Sequence, residues 1–165
     1  MPKLAVIIGS DSDLEMIRPC LETLQVLGIA HEIRVLSAHR TPEALKKYVK
    51  SAERKGVKVF IAGAGLAAHL PGAIASYTTL PVIGVPLSGL AGGMDALLSM
   101  VQMPGGIPVA TMAVGKPGAK NAALFAGQIL ASSDARLRQK LSKLRLKMQR
   151  EVVLKEKKLH QLLNK

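Results

Sequence analysis

Apolar residues along this chain come in short runs separated by amphipathic stretches. Leu4-Ala5-Val6-Ile7-Ile8 is an unbroken apolar run with β-branched members, as expected of a strand buried on both faces. Over residues 13–27 the period changes: Leu14, Ile17, Leu21, Leu24 and Leu27 fall mostly three or four apart, which predicts a helix stopped by Gly28. The alternation then repeats. Residues 31–36 read as a strand, 42–55 as a helix opened by Thr41-Pro42 and closed by Gly56, and 57–61 as a third strand. Beyond it the pattern predicts helix 71–77, strand 82–85, helix 93–101, strand 109–114 and helix 119–131. Parallel neighbours need a crossover long enough to bring the chain back. Five strand-helix pairs therefore predict an α/β fold, a parallel sheet wrapped on both faces by helices.

Ser132-Ser133-Asp134 then announces a last helix from 135 to about 163, with Leu137, Leu141, Leu144, Met148 and Val152 forming an apolar stripe. At 1.5 Å per residue such a helix is about 44 Å long, more than a domain of this size is wide. It is expected to project and reach a neighbouring subunit. The domain reading is thus one domain over 1–165, with a core at 1–132 and a projecting helix at 133–165.

Composition narrows the classes. A hydrophobic content of 48% over 165 residues supports one well-buried domain and excludes general disorder, and 2% aromatic residues without Trp exclude a base-stacking platform. The net charge of +12 suggests nucleic acid until it is located. Residues 1–58 carry +3, residues 59–115 hold Asp95 as their only formal charge, and residues 116–165 carry +10. The excess belongs to the last helix, where a solvated face accounts for it and no nucleic-acid partner is expected. A nearly uncharged stretch of such length leaves surface for other copies of the chain to cover, so a homo-oligomer is expected. Residues 4–9 are too short for a membrane span or an export signal, and the lone Cys20 makes no intrachain disulfide, which fits a reducing cytoplasm and a structural thiol.

Candidate chemistry sits on the loops after the first three strands. In a flavodoxin-like order 2-1-3-4-5 these strands are neighbours, and ligands bind beyond their carboxyl ends where the order reverses. Ser10 and Ser12 offer hydroxyls beside a helix amino end, a place that favours phosphate. Asp13 is either an acceptor for sugar hydroxyls or a helix cap. Arg40 suits phosphate or carboxylate, or is a surface arginine, and His39 either faces a ligand or holds its turn. His69 follows the small-residue run Ala62-Gly63-Ala64-Gly65-Leu66-Ala67-Ala68, and it is the only imidazole between Val59 and Gly115. It is either a hydrogen-bonded structural histidine or the group there that moves a proton near neutral pH.

Other chemistries fail on spacing. Gly63-x-Gly65-x-x-Ala68 follows the third strand rather than the first and lacks an acidic residue near 20 positions on, so it makes a poor dinucleotide fingerprint. No lysine serves a phosphate loop, and His31, His39, His69 and His160 lack carboxylate or thiolate partners at metal-ligand intervals. Neither a metal nor a nucleotide cofactor is expected.

Taken together, Gly9-Ser10-x-Ser12-Asp13, Ser37-Ala38-His39-Arg40-Thr41-Pro42, Gly63-Ala64-Gly65-x-Ala67-Ala68-His69-Leu70-Pro71-Gly72, Pro81-Val82-Ile83-Gly84-Val85-Pro86 and the stretch from Ser99 to Thr111 resemble the PurE family, the class I N5-carboxyaminoimidazole ribonucleotide mutases of purine biosynthesis. The resemblance runs from about Leu4 to Leu130. It implies a three-layer αβα fold, a homo-octamer with sites at subunit contacts, and an isomerase that moves a carboxyl group from an exocyclic nitrogen to ring carbon C4 without cofactor or metal. Carried over by position, Ser10, Asp13 and Arg40 would bind the ribonucleotide. Ser12, Ser37, Ala38, His39, Ala64, Gly65, Ala67 and Leu70 would line the pocket, and His69 would be the general acid/base. Where many relatives have a second glycine after Gly65, this chain has Leu66. Direct carboxylation with CO2, in a divergent branch of the family, and a non-catalytic nucleotide- or nucleic-acid-binding oligomer are the alternatives.

Overall fold

Strands β1 (Leu4–Ile8), β2 (His31–Val35), β3 (Val59–Ala64), β4 (Val82–Pro86) and β5 (Ala110–Thr111) form one all-parallel sheet in the order β2-β1-β3-β4-β5. Helices α1 (Leu14–Leu27), α2 (Pro42–Arg54), α3 (Leu70–Tyr77) and α4 (Met94–Val101) make the crossovers, and α5 (Gly115–Ala131) follows the last strand. These coordinates are a computed structural model that describes residues 1–163. The flavodoxin-like order read from the sequence is the one observed, with the reversal between β1 and β3. The chain divides into two compact units, Met1–Gly127 and a second beginning at Gln128.

Apolar runs without a polar alternate mark strands covered on both faces, and β1, β3 and β4 are buried at every position. β2 lies at the sheet edge and leaves Ile33 and Val35 exposed. Phe60, Ile7, Leu45, Val49, Ile74 and Met100 belong to one hydrophobic cluster that is mostly aliphatic.

Three elements depart from the sequence pattern by more than one residue. β3 runs on to Ala64 because its central position supplies partners on both sides: Gly63 lies opposite both Ile8 and Val85. A Cβ on Gly63 would come 3.1 Å from the Ile17 side chain, so close packing of α1 explains why so small a residue continues a strand. β5 shrinks to the two residues of 109–114 that pair with β4, Ala110 opposite Ile83 and Thr111 opposite Gly84. α5 starts at Gly115, four residues early, because Pro117 falls in the first turn where a missing N–H breaks no bond.

The second unit contains α6 (Ala135–Leu163). Asp134 caps it, its Oδ1 accepting the Leu137 N–H at 3.0 Å, and the Arg138 guanidinium donates to the Ala131 and Ser132 carbonyls. Leu137 is buried and Leu141 and Leu144 are half-buried, whereas Met148 and Val152 are exposed. Among the described residues no helix is long and apolar enough to cross a membrane.

Candidate functional site

Four loops meet beyond the carboxyl ends of β1 to β4 around a cleft of about 910 Å³. After β1, Ser10 opens a single 3-10 turn, Asp11–Asp13, closed by a reciprocal capping box. The Ser10 N–H donates to Asp13 Oδ2 at 3.1 Å, and the Ser12 N–H donates to Ser10 Oγ at 3.3 Å. The Ser12 hydroxyl donates to Ser10 Oγ at 2.9 Å, so two hydroxyls sit side by side at the mouth of α1. Asp13 makes no side-chain cap on α1 itself. Its carboxyl is shifted above its ordinary value, chiefly because burial disfavours the charge; the Ser10 and Gly9 N–H groups pull the other way, and Asp11 adds to the rise.

After β2 the chain is pinned by Thr41, whose hydroxyl accepts the Ser37 N–H and donates to the Ser37 carbonyl, both at 3.0 Å. Ser37 Oγ accepts the Arg40 N–H at 3.1 Å. Such a self-bonded turn needs nothing from His39 or Arg40, and both side chains point outward. Arg40 reaches back to the β1 loop, its Nη2 donating to the Gly9 carbonyl at 3.3 Å. His39 meets the β3 loop: its Nε2 lies 2.8 Å from His69 Nδ1, with the rings edge to face at 5.0 Å between centroids. One proton occupies that contact. It leaves His39 Nδ1 and His69 Nε2 as the two outer nitrogens of a linked pair.

The β3 loop is shaped by what its residues lack. A Cβ on Gly65 would lie 2.2 Å from the Ser88 carbonyl oxygen, so only glycine lets the β3 and β4 loops close together. The Leu87 N–H donates to the Ala64 carbonyl at 2.9 Å beside that contact. Leu66 follows with φ 54, a left-handed conformation that costs a leucine about 1 kcal/mol. His69 then precedes α3, where Pro71 occupies the first turn.

Every residue the sequence pointed to lines this cleft: Ser10, Ser12, Asp13, Ser37, Ala38, His39, Arg40, Ala64, Gly65, Ala67, His69 and Leu70. Gly9, Leu66, Ser88, Gly89 and Leu90 line it as well. The last three carry no titratable group, and their only sequence signal was their place directly after a central strand. His69 also borders a second hollow of about 590 Å³ with Gly72, Ala73, Leu98, Ser99, Gln102 and Met103. Cys20 is remote in character: it is buried, and burial pushes its thiol up to about 12, which makes it inert as a nucleophile.

Known proteins are similar to this chain in sequence and in fold. Residues 3–151 match the family described as AIR carboxylase. An N5-carboxyaminoimidazole ribonucleotide mutase of Saccharolobus solfataricus is 54% identical over 154 residues, 93% of this chain and 96% of that one. The protein of the same name from Thermotoga maritima is 48% identical over 98% of this chain and 94% of its own, and that from Escherichia coli is 51% identical over 85% and 83%. Among solved structures, Treponema denticola PurE superposes with a TM-score of 0.87 at 27% identity, covering 96% of this chain and 99% of that one.

Proposed function

We infer the function from one premise: this chain belongs to the AIR carboxylase family. It is an N5-carboxyaminoimidazole ribonucleotide mutase, an isomerase of purine biosynthesis acting on a ribonucleotide. The observation that carries the mechanism is the cleft itself, where anion- and hydroxyl-binding groups from the β1 and β2 loops face a linked imidazole pair. In this reading the phosphate sits among Ser10, Ser12 and the guanidinium of Arg40, whose outer N–H groups stay available beyond the Gly9 carbonyl. Asp13 accepts from the ribose, and the heterocycle lies over Ala64, Gly65 and Ala67 against His69.

The chemistry follows from that placement. A carbamate nitrogen that gains a proton loses its carboxyl as CO2, and the electron pair of the broken C–N bond stays on nitrogen. Ring carbon C4 then attacks the CO2 carbon and afterwards releases its own proton. His69 is the general acid for the first transfer and the general base for the second. The contact to His39 lets the pair hand on a proton: one accepted at an outer nitrogen of one ring releases another from the partner ring. Recapture outruns escape because CO2 beside C4 is present at a high effective concentration.

We assign the enzyme to the cytoplasm and to a homo-oligomer, an octamer by family resemblance. Exposed apolar residues on α4, Met94, Leu98 and Val101, lie in the nearly uncharged middle of the chain and support subunit contacts there. Light scattering of the purified protein checks the subunit number, and a monomer at working concentration refutes it. The functional test offers N5-carboxyaminoimidazole ribonucleotide in CO2-free buffer and, separately, aminoimidazole ribonucleotide with bicarbonate. Conversion of the first to the C4-carboxylated product is expected; turnover of the second alone identifies a direct carboxylase, and a salt-sensitive nucleic-acid complex without turnover identifies a binding module.

A further inference from the structure

CO2 gives a protein almost nothing to hold, having no charge and no donor. Keeping it beside C4 is a matter of walls. The β1 and β2 side of the cleft consists of polar groups that a bound ribonucleotide engages, while Ala64, Gly65 and Ala67 make room without enclosing anything. Three large apolar side chains line the cleft: Leu66, Leu70 and Leu90. Leu70 is 3% exposed and forms part of the floor, whereas Leu66 is 64% and Leu90 75% exposed. Those two stand at the rim.

Strained backbone lies at Leu66 itself and directly beside Leu90. The only non-glycine residues at positive φ among those described are Leu66 and Ala91, the latter directly after Leu90. Strain of this kind persists where surrounding structure over-determines it. The determining contact is the close approach of Gly65 to the Ser88 carbonyl, which locks the two loops backbone to backbone next to both leucines.

We propose that Leu66 and Leu90 form an apolar rim that closes over the bound heterocycle and retains CO2 between its release from nitrogen and its capture at C4. The proposal rests on the mutase reading above and deepens it. While the C–N bond is broken and the C–C bond not yet formed, neutral CO2 and aminoimidazole ribonucleotide lie together in the cleft. Loss through the rim leaves aminoimidazole ribonucleotide in place of product. Neither leucine side chain carries a charge or a hydrogen-bonding group, so the rim governs the partition of the intermediate and leaves phosphate and ribose binding alone.

The test turns over substrate labelled with ¹³C at its carboxyl group in unlabelled bicarbonate and reads label in the C4-carboxylated product by mass spectrometry. Wild type is expected to retain the label. Leu66→Asn, which suits a left-handed φ but replaces the apolar wall with an amide, and Leu90→Ala should each raise unlabelled product and free aminoimidazole ribonucleotide by about tenfold, with KM within about twofold. Leu66→Gly relieves the backbone and deletes the wall, so it should unfold no earlier than wild type and leak most. Variants that turn over normally and keep the label as wild type does overturn the rim, and so does label loss that merely tracks a rising KM. Wild type that makes product only from free CO2 refutes the mutase reading itself and takes the rim with it, an outcome distinct from the other two.

Discussion

The two sides of the cleft are built on different principles. On the β1 and β2 side, function resides in residue types: hydroxyls, a carboxylate and a guanidinium, fixed by short-range bonds such as Ser10 to Asp13 and Arg40 to Ser37. Across from it, the β3 and β4 loops offer hardly a polar side chain besides His69 and Ser88, and their function lies in shape, above all the missing Cβ at position 65. Binding needs groups that match a ligand's charges, whereas carboxyl transfer needs a place where little else can happen. Substitutions on the first side should therefore act on KM, and those on the second on kcat.

The strongest challenge to that division is His69→Asn. Removing a general acid/base is expected to lower kcat about 10³-fold with KM nearly unchanged, measured by steady-state kinetics. His39→Asn should cause a comparable loss although it comes from the binding side, because its ring hydrogen-bonds His69 directly. If the pair acts as a unit, the double variant is no worse than either single one. Independent, multiplying losses would separate the two rings and return His39 to ligand binding alone. Next in size is Gly65→Ala. The added methyl meets the Ser88 carbonyl oxygen at 2.2 Å, so the β3 and β4 loops must part. The expected loss is about 1–3 kcal/mol of stability together with about a hundredfold in kcat. Normal kcat in this variant would show that the shape of that side is dispensable.

The same contrast governs what was legible in the sequence. Residue types are visible one at a time, so Ser10, Asp13, Arg40 and His69 stood out, and the alternation of apolar runs with helical periods carried the sheet order. Shape is relational. Nothing in the string Pro86-Leu87-Ser88-Gly89 says that a carbonyl there will press on Gly65, and nothing local extends β3 through Gly63; both depend on which strand lies alongside. The β1 loop was half legible. Capping and ligand binding looked like rival roles for Asp13, but its carboxylate accepts the Ser10 N–H and lines the cleft at once. His39 was obscured for a similar reason, since the turn it sits on is held by Thr41 and Ser37 and leaves its ring for a partner 30 residues away.

Arg40→Ala sharpens the comparison from the binding side. Loss of a charge-assisted contact to phosphate costs about 1.5–3 kcal/mol, so KM should rise roughly tenfold to a hundredfold while kcat holds. Arg40→Lys should recover only part of this, since an ammonium keeps the charge but not the fork. An unchanged KM in the alanine variant places the phosphate elsewhere.

Asp13→Asn carries the smallest expected effect and the most specific sign. Burial raises the carboxyl above its ordinary value of 3.8, so between that value and the higher native one the folded protein holds a proton that the unfolded chain has released. The stabilising contribution is therefore full below about pH 3.8 and is lost as pH rises through the native value, and at neutral pH the ionised carboxylate opposes folding. Asparagine removes the buried charge yet keeps an oxygen to accept the Ser10 N–H. The variant should thus melt no lower than wild type at pH 7, and any advantage should shrink as pH falls through the native titration. KM should rise several-fold, because an amide accepts less strongly from sugar hydroxyls than a carboxylate does. Melting temperatures across pH, set beside KM, decide the matter: lower stability at pH 7 with an unaltered KM would make Asp13 a structural cap and take the ribose contact out of the site.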